Sequence, residues 1–74
     1  MFKENTFYKA TRFVNLTLWG EGQHIHIEEN DVLYITAVSM YTDIEQKVNL
    51  IFNFKEIKDV IWDLDKCSWL SEIT

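Results

Sequence analysis

Lysine and arginine are missing from Glu21 to Gln46, although that stretch carries Glu21, Glu28, Glu29, Asp31, Asp43 and Glu45. Such a stretch repels phosphate backbones, because nucleic-acid binding depends on cations that displace counterions. It suits a basic protein surface instead. The plainer reading is a solvated acidic surface that keeps a small protein soluble. Proline is absent and glycine occurs only at Gly20 and Gly22, so no linker, repeat or low-complexity stretch interrupts the chain. The single cysteine, Cys67, excludes an internal disulfide and a thiolate metal framework, and a reducing cytoplasm is the simplest compartment. No apolar run approaches membrane-spanning length. The segment MFKENTFYKATRF scatters charges where a signal peptide needs an apolar core. The expectation is a cytoplasmic protein without a membrane partner.

What is present argues for a folded domain. The chain has 74 residues, 47% hydrophobic and 15% aromatic, with a net charge of −5. That is one domain, residues 1–74, near the lower size limit for folding on a single core. It is too apolar to stay disordered. Basic residues open the chain (Lys3, Lys9 and Arg12 against Glu4). Three cations on an acidic body make a poor nucleic-acid site.

The hydrophobic pattern is that of short strands. FVNLTLW sets Val14, Leu16 and Leu18 against Asn15, Thr17 and Trp19, the period of a half-buried strand. WGEG makes a pronounced turn, and HIHIE alternates again with Ile25 and Ile27 inward. A hairpin over about Arg12 to Glu28 follows. EEND makes a second polar turn. VLYITAV, apolar on both faces, is a central strand paired antiparallel to HIHI across that turn, with Ile25, Ile27, Leu33, Ile35 and Ala37 in the core. Beyond SMYTDIEQK, VNLIFNF alternates once more. Lys55-Glu56-Ile57-Lys58 reads as a hairpin loop. A short strand near Asp59–Leu64, a helical turn through DKCSW and a strand at LSEI complete the chain; a C-terminal helix packed on a sheet is the alternative. The fold class is all-β. A five-stranded SH3-like barrel is expected, because so short a sheet must close or double over to hide its core. An OB-like five-stranded barrel is the other candidate.

No reaction motif stands out. His24 and His26 share one strand face, and Glu28 falls on it too, so the geometry would allow a His-His-Glu set. Metal sites want more convergent ligands, and two exposed strand histidines are the reading taken. The carboxylate pairs Glu28-Glu29 and Asp63-x-Asp65 look solvated rather than tuned for acid–base work. Cys67 reads as a small apolar filler near Trp69. The protein is therefore taken as a non-enzyme, with no cofactor and no metal. The aromatics are too many for so small an interior, and some of Trp19, Tyr41 and Trp69 should stay partly exposed. Rimmed by acid, they suit protein recognition, since Trp and Tyr dominate interface hot spots. The expected partner-binding set is Trp19, Glu21, Glu28, Glu29, Asp31, Tyr41, Asp43 and Glu45.

In the whole-chain character of MFKENTFYKATRF and VNLIFNFKEIKDVIWDLD, the sequence resembles the small accessory proteins of T-even-like tailed bacteriophages. The resemblance implies a protein that binds a host or phage macromolecule and alters it, for instance by inhibiting a nuclease, polymerase or defence enzyme. It carries no functional residues with it. Two functions are thus expected in turn. One is a modulator whose acidic surface occludes a basic, nucleic-acid-binding surface of a protein. The other is a barrel module that self-associates through its sheet, a homo-oligomer.

Overall fold

A computed structural model describes residues 2–17, 24–40 and 48–73. Within these residues the regular structure is almost entirely antiparallel sheet. β1 (Thr6–Ala10), β2 (Val14–Thr17), β3 (His24–Ile27), β4 (Val32–Met40), β5 (Val48–Phe54) and β6 (Ile57–Asp63) follow one another. A 3-10 turn (Leu64–Lys66) and β7 (Leu70–Glu72) come last. Two sheets form: a five-stranded one in the order β6-β5-β4-β1-β7, and the two-stranded pair β2-β3. Among the described residues the ladder does not close into a ring: β6 and β7 are its edges.

β2 and β3 pair as the alternation requires, with Leu16 opposite Ile25 and Val14 opposite Ile27. The WGEG turn between them lies outside the described residues. Leu16, Ile25 and Ile27 are buried in one core with Leu33, Ile35, Leu50, Phe52, Phe54, Val60 and Trp69. The small sheet thus covers the inner face of the large one. Each of those side chains, fully covered, contributes roughly 1.5–3 kcal/mol.

β4 is central, flanked by β1 and β5. The expected pairing of HIHI with VLYITAV does not occur. β3 bonds only to β2, and β4 takes β1 instead, with Phe7 opposite Tyr34 and Lys9 opposite Val32. The polar turn carries the chain from one sheet to the other rather than closing a hairpin. Ala37 also departs from expectation. The register shifts between Ile35 and Ala37, so Thr36 is an extra residue, its hydroxyl donating to the Ile51 carbonyl at 3.1 Å. A bulge of one residue reverses the alternation beyond it. Ala37 then lies outward beside Ile51, and Val38 packs on the core in its place.

β5 and β6 meet through a tighter loop than KEIK. Ile57 already pairs with Phe54, which leaves Lys55 and Glu56 as the tip. Lys55 takes a left-handed backbone (φ 54°). A second irregularity sets Lys58 and Asp59 opposite Asn53. Asp59 is left-handed there (φ 57°), and its N–H donates to the Asn53 side-chain oxygen at 2.9 Å. The strand, helical turn and final strand after it form as anticipated, so the C-terminal helix is ruled out.

β1 was not anticipated as a strand. It is an interior strand of the large sheet, between β4 and the edge strand β7. Tyr8 is buried, its hydroxyl accepting the Lys3 N–H at 2.8 Å. Where β1 ends, Glu4 takes over its work on β4, accepting the Val38 N–H at 3.2 Å.

Candidate interaction surface

The turn from Glu28 to Asp31 is held from three sides. The Asp31 N–H donates to the Glu28 carbonyl at 3.0 Å. The Glu28 N–H donates to the Asp31 carboxylate at 2.9 Å. Asn30, left-handed at φ 74°, donates to the Ala10 carbonyl at 2.8 Å, and Ala10 donates back to the Asp31 carbonyl at 2.8 Å. Asn tolerates that backbone better than most residues. The turn is therefore docked on the end of β1, with Glu28 and Glu29 exposed at its tip.

Asp31 is different from its two neighbours. It is half-buried and its carboxylate is engaged by a backbone N–H, so it shapes the turn rather than offering a free charge. Lys9 and Arg12 flank Ala10 and are exposed, which bounds the acidic tip with the basic start of the chain. Lys3, the third cation of that start, reaches Glu72 at 3.3 Å. Trp19, Glu21, Tyr41, Asp43 and Glu45 lie outside the described residues.

The outward face of the β2–β3 pair carries His24 and His26, opposite Thr17 and Asn15 in register. His24 Nδ1 lies 3.2 Å from the Thr17 hydroxyl. His26 stacks with Phe13, ring centres 6.3 Å apart and 24° between planes. Phe13 and Glu28 are the chain neighbours of Val14 and Ile27, the last pair of the ladder at this end. Phe13 is 59% exposed, so an uncovered aromatic ring sits beside the acidic turn. Among the described residues, no three His, Cys, Asp or Glu side chains gather as a metal set.

Of the three aromatics expected at the surface, Trp69 is buried, while Trp19 and Tyr41 lie outside the described residues. Trp69 is 2% exposed, with its edge on Phe52 at 6.5 Å and its indole N–H donating to the Lys66 carbonyl at 2.8 Å. That partner removes the polar cost which would keep a tryptophan at the surface. Among the described residues, Phe13 and Phe7 are the exposed rings. Neither is marked in the sequence: Phe7 adjoins Tyr8, which is buried, and Phe13 lies one residue before the β2 strand.

Cys67 fills the core beside Trp69, fully buried, its thiol donating to the Asp63 carbonyl at 3.3 Å. Burial, and secondarily the Asp63 charge, push its pKa up to about 12. A thiol so held is not a nucleophile at neutral pH. No helix among the described residues is long and apolar enough to cross a membrane. No family model, curated protein or solved structure matches this chain.

Proposed function

We propose that this protein is a non-enzymatic modulator that binds a protein partner through the acidic turn and the aromatic beside it. One observation carries the reading: exposed Phe13 stacks on His26, two residues before Glu28, and the turn bearing Glu28 and Glu29 is already fixed by backbone bonds to Ala10. A preformed tip loses little freedom on binding, which favours affinity. Its carboxylates stand in for the phosphates that a basic partner surface would otherwise hold, and Phe13 supplies the apolar anchor. Glu21, Asp43 and Glu45 belong to the same cation-poor stretch, and with Trp19 and Tyr41 they are the other residues proposed to contact the partner. Occlusion of a nucleic-acid-binding surface is the mechanism. It is the kind of action implied by the likeness to phage accessory proteins, at work in a host cytoplasm.

We also read the architecture as SH3-like. Supporting this are the strand order β6-β5-β4-β1-β7, the hairpin inserted between β1 and β4, the two-residue β5–β6 loop and the 3-10 turn before the last strand.

The test is a pull-down from bacterial lysate at low and high salt, with Glu28→Lys/Glu29→Lys and Phe13→Ala variants alongside. A partner that is released by salt, lost with the charge reversal and weakened about tenfold without the ring is expected. Binding indifferent to both salt and charge reversal would sink the reading.

A further inference from the structure

We propose that the outer face of the five-stranded sheet is a self-complementary interface that joins two copies of this chain. In an antiparallel sheet with one covered face, the other normally shows polar side chains to water. Here it does not. Of the five large hydrophobic residues exposed among the described residues, Phe7 (55%), Val32 (48%), Ile61 (52%) and Ile73 (42%) all belong to this one side, and only Phe13 lies elsewhere.

Register places them together. Phe7 pairs with Tyr34, their rings 4.8 Å apart. Ile73 bonds to the Phe7 carbonyl at 3.2 Å. Ile51 pairs with Ile61 on one side and Ala37 on the other. The apolar strip thus runs from Ile73, just past β7, to Ile61 on β6, stepping diagonally past Asn53, the partner of Tyr34. Scattered exposed hydrophobics need no explanation, but a contiguous strip of this kind marks an interaction surface.

Charge decides the occupant. On outward positions paired in the ladder, the charged residues are Lys9 on β1 and Asp63 on β6. Lys9 lies level with Val32, at the start of β4. Asp63 lies level with Asn49 and Ser39, near its other end. They occupy opposite corners of the face with the apolar strip between them. The Lys58–Asp59 bulge adds one charge of each sign at the β6 edge. Among the described residues these outward charges balance, on a chain of −5, and a face so balanced is poorly suited to the basic partner of the acidic turn. It does complement itself. A two-fold axis across the Lys9–Asp63 diagonal sets each lysine over the other copy's aspartate and the strip over itself.

Sedimentation of the full chain over a concentration series tests this, with circular dichroism melts to confirm that each variant folds. The wild type should dimerise reversibly. Ile61→Lys and Ile73→Lys should each weaken the dimer by about tenfold or more, and Ile73 makes no part of the core. Lys9→Asp should weaken it, as should Asp63→Lys and Asp63→Asn, both compared by melts because the Asp63 carboxylate also accepts the Asp65 N–H, and the double swap should recover most of the loss. Phe13→Lys, on another surface, should leave it unchanged, while abolishing capture of the partner by the acidic turn. A wild type that stays monomeric to about millimolar concentration would overturn the proposal. So would a dimer insensitive to both lysine substitutions, or a double swap no stronger than the single ones.

Discussion

Glu28 and Asp31 hold each other through two hydrogen bonds, one from each backbone N–H: the first to a carboxylate at 2.9 Å, the second to a carbonyl at 3.0 Å. The pair locks the turn between the sheets. It also separates two roles among neighbouring acids.

Asp31→Ala should therefore lower stability by about 1 kcal/mol, because the Glu28 N–H loses its acceptor. Glu28→Gln and Glu29→Gln should change it by a few tenths at most. Asn30→Gly should be neutral or slightly stabilising, while Asn30→Val should cost more, since a β-branched residue resists φ 74°. Urea titrations of the four variants check the ranking. Equal losses for Asp31→Ala and Glu29→Gln would contradict it.

Ile25→Asp or Ile35→Asp should unfold the protein. Both side chains are buried where the two sheets meet, and an uncompensated charge there costs several kcal/mol. A domain of this size has only about 3–5 kcal/mol from its core. Loss of the cooperative thermal transition is the expected readout. His24→Ala/His26→Ala, on the opposite face of the same strand, should keep the transition.

The same double-alanine variant addresses metal binding. Both histidines are exposed and each already contacts a neighbour, Thr17 or Phe13. Added zinc should leave the melting temperature of the wild type unchanged. A rise with zinc that vanishes in the variant would instead make the pair a metal site.

Cys67 should resist thiol reagents at pH 8 in the folded protein and react at once in denaturant. Its folded pKa of about 12 stands above the ordinary 9.0, so the folded state holds its proton where the unfolded state has lost it. The sign of the linkage follows. Stability is unaffected by this group below pH 9 and falls as pH rises from 9 toward 12. Cys67→Ala should flatten that slope. An unchanged slope would assign the alkaline loss to other groups.

Alternation along the chain was sufficient for several elements. The Ile25/Ile27 face, the Leu50/Phe52/Phe54 face and the hairpin of β2 with β3 all follow from a period of two. That pattern is local, because neighbouring side chains must point to opposite sides. The ambiguous tail resolved as strand, 3-10 turn and strand. Asp63 caps the turn, its carboxylate accepting the Asp65 N–H at 3.1 Å.

Other features depend on residues far apart in sequence. TFYKA lacks alternation, since Phe7 lies outward beside buried Tyr8, and only pairing with β4 and β7 makes it a strand. For the same reason HIHI and VLYITAV, joined by four residues, do not form a hairpin: β1 occupies the edge of β4 that β3 would have used. The bulge at Thr36 is invisible in VLYITAV, yet it turns Ala37 out and Val38 in. The acidic tip could be read from EEND, but the exposed ring beside it could not. Composition specified a small acidic β domain. Which aromatics were buried, and which edges were taken, was decided by non-local strand pairing, where burial and hydrogen bonding outweigh local pattern.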